Sequence, residues 1–515
     1  MEGPLPNLGT PTEEAAIAQL VKERSPAPVV TSGDDAPGTS LTAVTFNTGL
    51  WGGGRSSAED SAKVPRLLKE VLKDVNTDLA IVALQEVPSR GWPGAMSKAF
   101  DDALDQYDVS FIDTTWDKWL SAGAVPESLN FGLMTMVLTR KEWSGEVVKI
   151  DRRVRVANTY TKQSMVSALE IRDGRAPVPL LVVNTHAPFT NDGRDTIEHF
   201  GTIEPHLRNE LGAYVNTILL GDFNSRFSKM DFGKKLKNLD DDAKATFDRI
   251  LCTSHALLQE YHLYVDNTDR PATFRKHLEE LPDSARCGGD TTQRGMTSTA
   301  HCDETSLAGM HEERKYTDSL VNMLDHLIKE DELTTLVTGR GDQIALRYNE
   351  FDNKADVSTD RVERAAKAIN LFRSMREAPI DFPPSYKIVT SEGHIGRPAQ
   401  ITGLKKEGAL RMPGFADRIM YVEGPSTTIQ STKYQACNIN LLSDHLMVSC
   451  ELTIAAPGAG TPATAPASPV NAADPSPDGP PSSEAFAVRV RGASLASLGM
   501  TVCILLIIIL ICLNA

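Results

Sequence analysis

Short apolar runs, each ending at polar residues, punctuate the chain from Leu41 onward. LTAVTFN, LAIVALQ, GLMTMVLT, LLVVNT, NTILLGD and DRIMYV have the length and composition of β-strands. Between them, SAKVPRLLKEVLKDV, EPHLRNELGAYV and RVERAAKAINLF carry apolar residues at helical spacing. Strands that alternate with long connections and helices predict one large α/β (α+β) domain over residues 39–454. Residues 1–38 are polar and punctuated by Pro and Gly, with a short helix expected at 13–24. Residues from about 235 to 315 include RCGGDTTQRGMTSTAHCDETSLAGMHEERK, which lacks apolar periodicity. They read as a long, mobile surface insertion.

The pattern changes again near the end. Residues 455–488 are rich in Pro, Ala and Ser and read as a disordered linker. From Ala493 to Leu513 there is no charge, and TVCILLIIILICL is almost wholly aliphatic. About 20 such residues span a bilayer. Arg489 and Arg491 precede the run, as expected of a cytosolic flank. The pattern predicts a C-terminal transmembrane tail anchor at 493–513, with the catalytic part in the cytosol. The endoplasmic reticulum or another internal membrane is the expected location. A lipid-anchor signal fits less well because MEGPLPNLGTPTEEAAIAQL has no secretory leader pattern. Cys512-Leu-Asn-Ala515 is a poor prenylation box.

Composition narrows the functions. A chain of 515 residues, 41% of them hydrophobic, can bury a sizeable core. A net charge of −15 argues against coating nucleic acid, which requires many cations on phosphates. A local basic pocket for a small anion is still allowed. Seven Cys without a CxxC motif fit free thiols in a reducing compartment.

The apolar runs end at reactive residue types. FNTG supplies Asn47, LQEV supplies Gln85 and Glu86, and VNTHAP supplies Asn184 and His186. GDFNSR supplies Asp222, Asn224 and Arg226, ADRI supplies Asp417 and Arg418, and LLSDHL supplies Asp444 and His445. Each alone is an ordinary strand-end charge or cap. Together, on runs that can converge at one sheet edge, they suit phosphate-ester hydrolysis. Mg²⁺ needs one or two carboxylates, and Glu86 is the first-choice ligand. Asp222 can act on the attacking water as base or orienting group, and Asn224 can position it. His186 and His445 can donate to phosphoryl oxygens. Asp444 precedes His445 and can fix its tautomer or contact a different imidazole. In FPPSYK, two prolines set an extended turn that presents Tyr386 and Lys387 to an anionic group. Arg418 can add a fork of donors.

The set FNTG, LQEV, VNTHAP, GDFN, ADRI and SDH resembles the endonuclease–exonuclease–phosphatase superfamily, from about Leu41 to Leu452. The resemblance implies a four-layer α/β/β/α sandwich and Mg²⁺-dependent phosphoesterase chemistry. It implies Asn47 and Glu86 at the metal. Asp222, Asn224, His186, Asp444 and His445 would surround the scissile phosphate, with Asp417 in support. FRSMREAPIDFPPSYK is similar to the inositol polyphosphate 5-phosphatase pattern. That likeness implies Tyr386, Lys387, Arg418 and Lys162 at the 4-phosphate of an inositol ring. Phosphoinositide lipids are then the expected partners, without nucleic acid. Thr161-Lys162-Gln163-Ser164 and Phe415-Ala416-Asp417-Arg418 depart from the family's usual Asn-Lys-Gly and Trp-Cys-Asp-Arg. The expected activity is removal of the 5-phosphate from PI(4,5)P2 or PI(3,4,5)P3. The alternatives are a sphingomyelinase or nuclease of the same superfamily, or a non-catalytic membrane-tethered binding module.

Overall fold

The computed structural model describes residues 38–49, 58–73, 75–88, 104–115, 131–157, 162–188, 194–209, 211–225, 227, 320–337, 359–386, 388–389, 400–401, 413–425, 427–437, 443–455 and parts of 250–281. The chain divides into residues 1–460 and 461–515, and every described residue lies in the first unit. The expected helix at 13–24, nearly all of the linker and the transmembrane run fall outside the described residues. Among the described residues no helix is long and apolar enough to cross a membrane.

Two mixed six-stranded sheets dominate the described fold. The first has the order β13 (Thr428–Cys437), β14 (Met447–Ala455), β1 (Thr39–Asn47), β2 (Leu79–Pro88), β4 (Phe131–Arg140), β3 (Tyr107–Thr114). The second runs β5 (Glu146–Ala157), β6 (Gln163–Arg172), β7 (Val178–His186), β8 (Thr217–Asp222), β12 (Asp417–Val422), β9 (Arg376–Glu377). β10 (Ile388–Val389) and β11 (Gln400–Ile401) form a separate short pair.

Strand alternation sorts the side chains into layers. In β1, Leu41 and Ala43 face the second sheet, while Val44 and Phe46 face outward. The outward set packs on α1 (Ala58–Leu72) through Val64, Leu67, Leu68 and Leu72. Burying each of those side chains contributes about 1.5–3 kcal/mol. In β8 and β12, Ile218, Leu220, Ile419 and Tyr421 face inward. Leu219, Met420 and Val422 face outward. There they meet α2 (Arg194–Ile203) and α6 (Thr359–Ser374). The layers are helix, sheet, sheet, helix.

Two expectations fail. EPHLRNELGAYV is not an α-helix: Glu204–Leu207 makes one 3₁₀ turn, and the chain then reverses through Gly212 at φ +77. Asn209 Oδ1 accepts from the Leu211 and Ala213 amides, which fixes that reversal. The second concerns the described part of the expected surface insertion, within 250–281; residues 235–249 and 282–315 lie outside the described residues. Ile250, Leu257, Leu258, Tyr261, Phe274 and Leu278 belong to the core between the sheets. They extend it toward α4 (Leu320–Glu330), which adds Leu320, Met323, Leu324 and Leu327.

Candidate active site

Sheet register brings the reactive residues together. His186 pairs with Asp222 across the parallel β7–β8 contact, and Asp222 pairs with Asp417 across β8–β12. On the first sheet, Asn47 is in register with Gln85. Asn47, His186, Asp222 and Asp417 share the parity of the inward-facing core positions of their strands. They therefore form the polar end of the space between the sheets. Gly221 lets β8 approach β7 this closely: a Cβ there would lie 1.9 Å from the Thr185 carbonyl oxygen.

Asp222 is the hub. Its Oδ2 accepts from Asn47 Nδ2 at 3.0 Å and lies 3.3 Å from His186 Nε2. It is 4.0 Å from His445 Nε2. Its Oδ1 accepts from the Asn224 amide at 2.8 Å. Burial alone would raise the carboxyl's pKa, but the His186 hydrogen bond and the charges of His445, His186 and Lys162 outweigh it. Asp222 is held well below the ordinary carboxylate range. His186 moves below its ordinary value, first through burial and then through the Lys162 charge. Lys162 Nζ lies against His186 Nε2, the nitrogen that also faces Asp222 Oδ2.

His445 is positioned from behind by Asp417, whose Oδ2 accepts from His445 Nδ1 at 2.8 Å. The same oxygen accepts from Ser385 Oγ at 2.8 Å, whereas buried Asp417 Oδ1 has no hydrogen-bond partner among the described residues. Burial raises Asp417 to about 6. Burial would lower His445, but the Asp417 and Asp222 carboxylates prevail and raise it to about 9. Between those values the pair is imidazolium and carboxylate. The expectation that Asp444 fixes the His445 tautomer is corrected, because Asp444 Oδ1 lies 4.0 Å from Nε2, the other ring nitrogen.

Two non-glycine positions have a left-handed backbone, which strains Glu86 and which Asn224 tolerates better. Glu86 has φ 54 and Asn224 has φ 52, both in the left-handed region that ordinary residues avoid. Glu86 sits where β2 slips register with β4 between Leu84 and Val87, a bulge that re-aims a side chain. Its Oε1 lies 3.6 Å from His186 Nε2. Asn224 Nδ2 donates to the Ala187 carbonyl at 2.8 Å.

A Mg²⁺ ion suits the donor set. Among the described residues no group of three His, Cys, Asp or Glu side chains is spaced to cage a metal. Mg²⁺ needs no such cage, since it keeps several waters beside one or two protein carboxylates. The Glu86 carboxylate and the Asn47 amide oxygen, on adjacent strand ends, are oxygens of that hard kind.

The turn at 382–386 reaches the site through Tyr386, whose ring packs on His445 at 4.6 Å between centroids. Lys387 lies outside the described residues. Arg418 does not join Tyr386. It follows Asp417 on a strand, so it points to the opposite face, where it is 0% exposed and bound to Glu377 and Asp331. The expected role at a substrate phosphate is corrected on that ground. Lys162 lies at His186, among the reacting groups.

Several further side chains support the site. Ser443 Oγ donates to the Asn47 carbonyl at 2.6 Å and accepts from the His445 amide at 3.1 Å. Gln85 Nε2 donates to Asn184 Oδ1 at 2.9 Å, tying the two sheets beneath the site. Asp381 accepts from the Phe274 and Arg275 amides at the start of α3 (Phe274–Glu280). Helix α3 therefore anchors the Tyr386 turn. The serines were legible within LLSDHL and FPPSYK as hydroxyls beside reactive residues.

Residues 310–451 match the family model described as Endonuclease/Exonuclease/phosphatase family 2. The matched stretch contains Tyr386, Asp417 and His445, and it supports the superfamily. None of the curated proteins matches the chain. Among solved structures, the chain is similar to the inositol polyphosphate 5-phosphatase domain of spsynaptojanin in complex with inositol (1,4)-bisphosphate and calcium. That likeness has 14% identity, TM-score 0.39, and coverage of 87% of this chain and 93% of that one. The Cimex nitrophorin ferrous NO complex gives 13% identity, TM-score 0.39, and coverage of 82% and 99%. The human nocturnin catalytic domain with bound sulfate gives 11% identity, TM-score 0.32, and coverage of 81% and 94%. At these scores none of the structural likenesses carries an argument.

Proposed function

We propose that this protein is a Mg²⁺-dependent phosphoinositide and inositol polyphosphate 5-phosphatase, acting on PI(4,5)P2 or PI(3,4,5)P3 at a membrane. The observation that carries the reading is the hydrogen-bonded cluster around Asp222, with Asn47 and His186 beside it and His445 backed by Asp417. The superfamily supported by the 310–451 match consists of hydrolases.

Mg²⁺ held by Glu86 and Asn47 would neutralise charge on the phosphate ester. The protein's own groups divide the remaining work. Asp222 stays ionised and orients the attacking water; its depressed pKa makes it a better acceptor of a hydrogen bond than of a full proton. Asn224 helps to position that water. His445, kept protonated by Asp417, donates to the phosphoryl oxygens as charge builds on them. Lys162 adds a cation on the His186 side. Tyr386 and Lys387 contact the neighbouring phosphate. The apolar run at 493–513 anchors the enzyme beside its lipid substrate.

The burial of Arg418 favours a second reading, because it removes one cation expected at the neighbouring phosphate. In that reading the same chemistry acts on another phosphoester, such as sphingomyelin or nucleic acid. The test is phosphate release by the full chain with Mg²⁺ from vesicles of PI(4,5)P2, PI(4)P or PI(5)P. Release from PI(4,5)P2 that leaves PI(4)P is the expected result. No release from any inositol lipid, with turnover of sphingomyelin or single-stranded nucleic acid, overturns the 5-phosphatase reading.

A further inference from the structure

Behind the site, on the helix-facing side of the second sheet, lies another buried charged cluster. Arg418 heads the fully buried side chains by volume. Its Nε donates to Glu377 Oε1 at 2.6 Å, and Nη1 donates to Asp331 Oδ1 at 2.7 Å. Nη2 donates to Glu377 Oε2 and, at 3.1 Å, to Thr334 Oγ1. Asp331, also 0% exposed, caps the start of α5 (Glu332–Val337), accepting from the Thr334 amide at 2.8 Å. Its second oxygen accepts from Ser225 Oγ at 2.6 Å. Ser225 Oγ also accepts from the Leu333 amide at 3.2 Å.

Ser225 directly follows Asn224, one of the two non-glycine residues of the site with a left-handed backbone, a conformation that Asn tolerates but that must still be selected over the ordinary ones. A non-glycine residue persists in that conformation only where its surroundings over-determine it. Asn224 is held on its own side by Asp222 Oδ1 and the Ala187 carbonyl. The next residue is held by Asp331. The Ser225 hydroxyl satisfies Asp331 Oδ2 and the Leu333 amide at once. That hydroxyl is the link by which the cluster reaches the catalytic turn.

The geometry points to Ser225, Asp331 and Arg418 as positioning residues that hold the Asp222–Asn224 turn in its working conformation. None of them touches the reacting groups. Arg418 thus acts on the reaction through Asp331 and Ser225. Its strand neighbour Asp417 acts through His445.

Ser225→Ala removes one oxygen and adds no volume; it leaves Asp331 Oδ2 and the Leu333 amide without that partner, and wild-type exchange in β8 and β12 is the check that the full-length variant folds. The kinetic arm of the test rests on the phosphoesterase reading. There kcat on PI(4,5)P2 vesicles falls by up to about 100-fold, the scale of an ångström's misplacement, while KM stays at the wild-type value. The second arm needs no substrate. Amide hydrogen exchange at Asn224 speeds up by about tenfold, the scale of one lost hydrogen bond, while β8 and β12 exchange as in the wild type. Unchanged exchange at Asn224, with loss confined to the unfolding midpoint, overturns the proposal. A wild-type enzyme without turnover would sink the phosphoesterase reading alone, because faster exchange at Asn224 would still uphold the positioning set.

Discussion

Asp417 and Arg418 are consecutive residues of β12, yet they enter two different buried charged clusters. On one face, Asp417 joins His445, Asp222 and His186. On the other, Arg418 joins Glu377 and Asp331. The second cluster is saturated: Arg418 donates from Nε and both terminal nitrogens, and each acceptor has further partners. The first is incomplete. Among the described residues Asp417 Oδ1 has no partner, two left-handed residues flank the cluster, and three of its groups shift well away from their ordinary pKa values. Saturation characterises a cluster that holds the fold in place. Incompleteness is what a site retains for groups it has yet to bind.

The sharpest way to break the comparison is to damage each cluster in turn. Asp222→Asn is isosteric and still accepts from the Asn224 amide, so the fold survives. Turnover should fall about 10²- to 10⁴-fold, measured as phosphate release at saturating substrate. Arg418→Met, which reaches turnover only indirectly through Asp331 and Ser225, should above all lower stability, by about 3–5 kcal/mol in urea unfolding, because Glu377 and Asp331 are left buried without their cation. If Arg418→Met unfolded at the wild-type midpoint, the saturated cluster would not be structural. Tyr386→Phe should raise KM for PI(4,5)P2 by up to about tenfold, the cost of one hydrogen bond, with little change in kcat.

The smallest effect is on pH. His445 is raised from 6.5 to about 9, so its stabilising contribution is complete below pH 6.5 and disappears as pH rises through about 9. Asp417 is raised from 3.8 to about 6, so its protonated form is favoured in the folded state and that contribution is lost as pH rises through about 6. Activity that needs the charged pair should therefore be bell-shaped, with limbs near 6 and 9. Melting temperature should decline between pH 6.5 and 9, and His445→Gln should remove that decline.

The sequence revealed the central strands most clearly. β1, β2, β4, β7, β8 and β12 are covered on both faces, so they read as nearly continuous apolar runs. β3, β5 and β6 were not legible in the same way, because YDVSFIDT, EVVKIDRRVRVA and QSMVSALEIR mix charged or hydroxyl residues into the apolar positions. The stretch at 250–281 was misjudged by its polar neighbour. LLQEY and FRKHL carry the apolar residues that fill the core, but the run from Arg286 to Lys315 set the tone of the whole region.

Within the site, residue types and order pointed to Asp222, His186 and His445. The role of Asp444 stayed open between two readings, since sequence adjacency says little about which carboxylate meets an imidazole ring. Arg418 was open to a simple parity argument: if Asp417 faces the site, the next strand residue cannot. Asp331 and Glu377 lie far from Arg418 in sequence, and no local pattern links them.

The left-handed backbones of Glu86 and Asn224 have a consequence for protein engineering. Selection for heat resistance alone rewards relief of backbone strain, and glycine fits both positions, relieving about 1–3 kcal/mol at Glu86 and less at Asn224. Such a screen would be drawn to these two positions, and each hardened variant would lose the carboxylate or the amide that the strain holds in place. Libraries built to toughen this protein should therefore keep both residues fixed and look for gains elsewhere, in the helices and loops far from the ends of β2 and β8.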